Sequence, residues 1–338
     1  MFSENRYQQS PQWFRSCGHS GLQLPAVSLG CWHNFGAAGS ASHGLTDEVA
    51  FHEHAFVLLH AAFDCGITHF DLANNYGPPP GAAEERVGRI LKEFPRHELV
   101  LASKAGYRMW PGPYGDGGSR KYLVESCDQS LKRLDLDHLD IFYHHRPDET
   151  TPLEETLAAL DFIQKSGRAL YVGISNYSAE RTLQALELCE KNNWARPIIH
   201  QPRYNMFDRK AEEELIPAAA QAGIGLIAFS PLAQGLLSAR YLDGIPDDSR
   251  AASSSVFLKG ESIDPATRNR IAQLNAHAAE RGQTLAQMAI AWALRSPTVV
   301  SALIGASRPD QIQELALALE GSGFDEQELQ VLDRILSE

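Results

Sequence analysis

Asp71, Tyr76 and Lys104, together with one of the adjacent histidines His144 and His145, are residue types that can transfer and steer a proton. Asp71 and Tyr76 lie five apart in HFDLANNYGPPPG at 69–81; Lys104 closes LVLASK and the two histidines close LDIFYHH. A carbonyl that takes up a hydride becomes an alkoxide and needs a proton. A phenol with a free pKa of about 10 is still protonated at neutral pH and can supply one. A neighbouring ammonium would lower the phenol pKa and ease the transfer, and a buried carboxylate would hold that ammonium in place. A histidine bonded to the carbonyl oxygen would orient and polarise it. The Gly-Pro run after Tyr76 then has a purpose, because it fixes the turn that carries the phenol.

These residues need a scaffold that delivers them to one place. Apolar, strand-like runs alternate with amphipathic helical ones through eight rounds. The strands are read at PAVSLGCW, ITHFDLA, LVLASK, LDIFYHH, ALYVGISN, PIIHQPRYN, GLIAFSPL and VSALIGAS, with helices such as AAEERVGRILKEF and RKYLVESCDQSLKRL between them. Strands this apolar are buried on both faces, and eight βα units are the number that closes a (β/α)8 TIM barrel. An open doubly wound sheet would want a G-x-G-x-x-G turn after its first strand, which GCWHNFGAAG does not supply. FRSCGHSGLQL, ahead of the barrel, predicts an N-terminal β-hairpin plugging the floor, and residues 233 to 266 predict a long irregular loop after strand seven. One barrel domain over residues 1–338 is expected.

Barrel enzymes gather their reactive groups at the C-terminal strand ends. Asp71 and Tyr76 follow strand two and Lys104 ends strand three; strand four brings His144 and His145, and strand five Ser175 and Asn176. Gln201, Ser230 and Gly305 to Ser307 end strands six, seven and eight. Any one of them could be a cap or a solvated loop residue; the convergence of the set on one rim carries the reading.

Bulk properties narrow the class. With 43% hydrophobic and 21% charged residues the chain is typical of soluble globular proteins, and no apolar run is long enough to span a bilayer. The polar start, MFSENRYQQSPQWFRSC, has no secretory h-region. Five scattered cysteines without a C-x-x-C suit reduced thiols, so a cytoplasmic location is expected. A net charge of −12 argues against a nucleic-acid surface, and an anionic ligand would need a local basic cluster.

The stretches D-L-A-N-N-Y-G-x-x-x-G, A-S-K, D-I-F-Y-H-H-R-P, V-G-I-S-N, H-Q-P-R-Y-N, F-S-P-L-A-Q-G-L-L-S and I-G-A-S-R-P-D-Q together resemble the aldo-keto reductase superfamily, over roughly residues 14 to 335. G-x-W-H-N-F-G, A-G-Y-x-M-W-P-G-P-Y-G and G-G-S-R-K-Y-L place the resemblance in the branch that joins bacterial reductases of phosphorylated trioses with potassium-channel β subunits. The resemblance implies a catalytic tetrad of Asp71, Tyr76, Lys104 and His145, the histidine five residues after Asp140. Strand alternation turns His144 the other way, toward packing.

The same resemblance implies NADPH as cofactor. Ser175, Asn176 and Gln201 would bond the nicotinamide amide and Phe229 would stack on its ring, while Ser230, Leu232, Gln234 and Gly235 would line the pyrophosphate path. Arg240 and Arg250 would clamp phosphates; Gly305, Ser307, Arg308, Gln311 and Glu314 would hold the adenosine end, with Ser307 and Arg308 on the 2′-phosphate. Leu315 departs from the family's usual asparagine. Trp32, His33, Tyr107, Trp110 and Arg146 are the substrate candidates, aromatic walls suiting a small aldehyde such as L-glyceraldehyde 3-phosphate or methylglyoxal and Arg146 suiting an anionic group. A small-molecule aldehyde is the expected partner, and a homo-oligomer is compatible with the sequence.

Three rivals are weighed. A cofactor-binding, redox-sensing subunit with little turnover would keep the fold without the catalysis. A metal-dependent hydrolase would use His52 and His54 around Glu53, but a two-residue step on a helix is roughly 200° and separates the two rings, so no metal is expected. Hydrolysis through Ser230 lacks a G-x-S-x-G turn.

Overall fold

The computed structural model describes residues 2–8, 10–39, 44–242, 244, 263–321 and 323–337. Eight parallel strands close a barrel: β3 (Val27–Gly30), β4 (His69–Asp71), β5 (Val100–Ala105), β6 (Leu139–His144), β7 (Ala169–Ser175), β8 (Ile199–Gln201), β9 (Gly225–Phe229) and β10 (Val299–Ile304), which returns to β3. Every junction is parallel, from Leu29 beside Phe70 round to Ala302 beside Val27. The expected TIM barrel is therefore the fold.

Alternation sorts each strand's residues. On β5, Ala102 packs inside the barrel with Ile141, Tyr143, Ile199 and Ile227, while Leu101 and Ala105 join the outer core under the helices. On β6 the same rule puts Tyr143 inside and Phe142 outside. β8 is shorter than the predicted PIIHQPRYN. Its ladder stops at Gln201, because Pro202 has no N–H to contribute and only its carbonyl still accepts, from Phe229 N at 3.0 Å.

β1 (Phe14–Ser16) and β2 (Gln23–Pro25) form the predicted hairpin. Its Cys17 and Leu24 belong to the inner barrel core, and His19 N donates to Gly223 O ahead of β9, so the hairpin closes the end opposite the strand C-termini. Outside the barrel run α1 (Glu48–Asp64), α2 (Ala82–Ile90), α3 (Arg120–Leu134), α4 (Leu153–Lys165), α5 (Ala179–Asn192), α6 (Lys210–Glu213) and α7 (Leu215–Ala222), followed by α8 (Pro265–Glu280), α9 (Leu285–Ala293), α10 (Pro309–Ala316) and α11 (Glu326–Ser337). Of the loop predicted over 233–266, residues 233–242 make two single 3-10 turns and α8 begins at Pro265, capped by the Asp264 side chain; most of the remainder lies outside the described residues. No helix among the described residues is long and apolar enough to cross a membrane.

One glycine is required by the barrel interior. A Cβ on Gly173 of β7 would stand 2.5 Å from the Tyr143 ring. Gly173→Ala should therefore displace that ring and cost about 1–3 kcal/mol of stability, read as a lowered denaturation midpoint. A midpoint equal to that of the unsubstituted chain would show that the interior has room to spare.

Candidate active site

At the C-terminal end of the barrel, β4 presents Asp71 and β5 presents Lys104, both fully buried and in direct ion-pair contact. The Lys104 ammonium also donates to Leu72 O at 2.8 Å and to the Tyr76 phenol oxygen at 3.2 Å, so its donors are spent on three acceptors from one loop and strand end. The second Asp71 oxygen accepts from Gln201 Nε2 at 3.1 Å. Three strand ends, those of β4, β5 and β8, thus contribute to a single buried network. Tyr76 is held by its turn. Its N–H donates to Ala73 O at 3.0 Å and its carbonyl accepts from Gly81 N and Ala83 N, while a Cβ on Gly77 would collide with Pro79 O at 2.0 Å.

Burial pushes the Tyr76 phenol above its ordinary 10; Lys104 pulls it down and Asp71 pushes it up. The sequence-based expectation that Lys104 brings the phenol pKa down is thus not met in the sum: the ammonium acts in that direction, and desolvation outweighs it. For Lys104 burial works against the charge, yet Asp71 and Tyr76 more than offset it and raise the ammonium's pKa.

His145 follows the inward residues Ile141 and Tyr143 at the two-residue period, and its ring meets Tyr76 edge-on at 6.0 Å and Tyr107 at 4.7 Å. Burial, with Lys104, His144 and Arg146 adding positive charge nearby, drives its pKa well below 6.5. The imidazole is neutral, and its buried Nδ1 has no partner. His144 turns outward and bonds the Tyr177 hydroxyl at 2.7 Å; burial lowers it to about 4.

Above this network opens a cavity of about 680 Å³. Tyr76, His145, Trp32, His33 and Tyr107 line one end, and Ser175, Asn176, Gln201 and Phe229 lie along its wall. Ser230, Leu232, Gln234, Gly235 and Arg240 continue the lining, together with Gly305, Ser307, Gln311, Glu314 and Leu315. Asp71 and Lys104 sit behind Tyr76. Trp110, Arg146 and Arg308 are not part of the lining. Trp110 packs on Tyr122 at 5.4 Å, Arg146 pairs with Asp116 at 2.9 Å while lying over the Tyr107 ring, and Arg308 pairs with Asp310 at 3.1 Å. Arg250 lies outside the described residues.

Lining residues that the motifs did not flag include Asn34, Asn75 and Arg203. Arg203 was legible in principle, since it stands two and four residues after the inward-facing Gln201 and Ile199. The cavity wall also carries unusual backbone. Asn176, Ser230, Ala233 and Gln234 have φ between 48° and 61°, whereas the other non-glycine residues of positive φ among those described, Asp135 and Asn193, are helix C-caps. Strain confined to a cavity rim points to a site shaped for a ligand.

A cavity of this volume whose lining combines many amide and hydroxyl groups with the Tyr76 phenol suits a dinucleotide whose reactive ring lies near Tyr76. The unpartnered polar atoms of Asn75 Oδ1 and His145 Nδ1 fit the same reading. His52 and His54 lie together on α1, and no group of three His, Cys, Asp or Glu among the described residues could hold a metal.

The chain belongs to the aldo/keto reductase family, whose model matches residues 27–337; it is an oxidoreductase of a family that generally uses nicotinamide cofactors. Its relatives include the L-glyceraldehyde 3-phosphate reductase of Escherichia coli (strain K12), 50% identical over 96% of this chain and 92% of that protein. They also include a probable voltage-gated potassium channel subunit beta of Arabidopsis thaliana and one of Oryza sativa subsp. japonica, each 38% identical over 91% of both chains.

Proposed function

We propose that this protein reduces small aldehydes, among them L-glyceraldehyde 3-phosphate and methylglyoxal, to alcohols with NADPH, Tyr76 giving the proton. The observation that carries the reading is the Tyr76 hydroxyl 3.2 Å from an ammonium that Asp71 holds in a fully buried pair. When bound, the cofactor supplies the hydride. Ser175, Asn176, Gln201 and Phe229 would hold its nicotinamide end, and Ser307 with Gln311 its adenosine end. Lys104 stabilises the phenolate left behind when Tyr76 gives its proton to the carbonyl oxygen, and Asp71 keeps Lys104 charged and in place. His145, neutral, donates one ring N–H to the same oxygen and sets the angle of the carbonyl. Trp32, His33 and Tyr107 exclude water around it.

The test is a panel of aldehydes with NADPH and NADH in parallel, followed by loss of cofactor absorbance. Steady turnover with NADPH supports the reading. Tight cofactor binding with negligible turnover of every aldehyde would instead favour a binding subunit, a class that the 38% identical relatives keep in view.

A pH profile separates the proton donor from the histidine. With the phenol above 10 and the imidazole well below 6.5, both are in their working forms across neutral pH. The expected kcat/KM for reduction is flat from about pH 6 to 9 and declines only beyond about 10, as the phenol ionises. A limb centred near 6.5 would show that His145 titrates there and would break the assignment.

A further inference from the structure

The cavity contains an arginine with no acidic partner among the described residues. Arg203 lies two residues beyond Gln201, whose amide reaches into the barrel to Asp71, and its backbone continues the strand alignment by bridging Phe229. Its guanidinium lies over the Phe229 ring at 5.7 Å and lines the cavity. No carboxylate among the described residues pairs with it, although Arg146, Arg209 and Arg295 each have one. The carboxylate that the cavity does offer, Glu314, accepts from the Thr284 hydroxyl at 2.6 Å. In a chain of net charge −12, an exposed cation in the lining of the cavity, without a carboxylate partner among the described residues, is the local reversal of field that an anionic ligand requires.

We infer that Arg203 binds a phosphoryl group inside the cavity, carried either by the aldehyde substrate or by the cofactor. A guanidinium offers a flat fork of donors that matches phosphate oxygens two at a time, and the Phe229 face beneath it fixes the plane of that fork. Arg146, the sequence-based candidate for this task, is already committed to Asp116 and Tyr107, which leaves Arg203 and Arg240 as the arginines that line the cavity among the described residues. The inference rests on the proposed reductase activity for its substrate arm and is independent of it for its binding arm.

The experiment compares the full chain with Arg203→Met and Arg203→Lys. A fall on the order of tenfold or more in the ratio of kcat/KM for L-glyceraldehyde 3-phosphate to that for L-glyceraldehyde in Arg203→Met supports the inference with the substrate as source. A rise on the order of tenfold or more in the calorimetric Kd for NADP+ supports it with the cofactor as source. In either case Arg203→Lys, which keeps the charge and loses the fork, is expected to fall between the two other forms. If neither quantity moves in Arg203→Met, the inference is overturned. If the unsubstituted chain reduces neither aldehyde, the proposed function fails; calorimetric titration with NADP+ and with inorganic phosphate then decides on Arg203 alone, loss of binding in Arg203→Met supporting the inference and unchanged binding overturning it.

Discussion

Tyr76→Phe is expected to lower kcat for aldehyde reduction by about 10²- to 10⁴-fold while leaving the Kd for cofactor within about twofold of its starting value. The substitution removes one oxygen atom and nothing else from the cavity wall. The ring keeps its contacts with Trp32 and His145, and Lys104 keeps Asp71 and Leu72 O as acceptors, so no buried charge is stranded. What disappears is the proton that the developing alkoxide needs. Steady-state rates with fluorescence titration of the cofactor separate the two quantities. Retention of more than about a tenth of the turnover would mean that another group or water serves as the acid, and Tyr76 would lose its role.

Lys104→Met is expected to do broader damage. Asp71 is fully buried, and without the ammonium its charge keeps only the Gln201 amide among the side-chain partners described. Removing one member of a buried ion pair typically costs about 3–5 kcal/mol, far more than the pair contributes when intact, because the remaining charge is left in a medium that cannot solvate it. A lower denaturant midpoint and a loss of activity should therefore appear together. The double substitution Lys104→Met with Asp71→Asn removes both charges and should recover much of the stability without recovering turnover. If the double variant were as unstable as the single one, the loss would come from packing around the lysine stem rather than from the unpaired carboxylate.

How far the sequence alone led can be judged residue by residue. The eight strands and their order were readable because a buried parallel strand is continuously apolar, and the rim followed from where each apolar run turned polar. The resemblance selected His145 over His144 and strand period set the two on opposite sides; the structure puts one inside and the other against Tyr177. Short-range patterns could not say which long side chains find partners elsewhere. Trp110 and Arg146 stand in loops whose sequence suits a ligand, yet one is drawn to Tyr122 and the other to Asp116, contacts that depend on how the loop folds back. The sum of opposing effects on Tyr76 was equally out of reach, since burial cannot be weighed against a nearby ammonium until both are located. Arg203 shows the converse: its position was legible, and its significance depended on knowing which carboxylates the fold had placed beyond its reach.

The β1–β2 hairpin covers one end of this barrel. Cys17 and Leu24 stopper the end away from Tyr76, and the cavity opens on the other side. Where two ligands share that cavity, the deeper one is expected to depart after the one above it. That queue, as much as the bond-making step, can set the pace of each cycle.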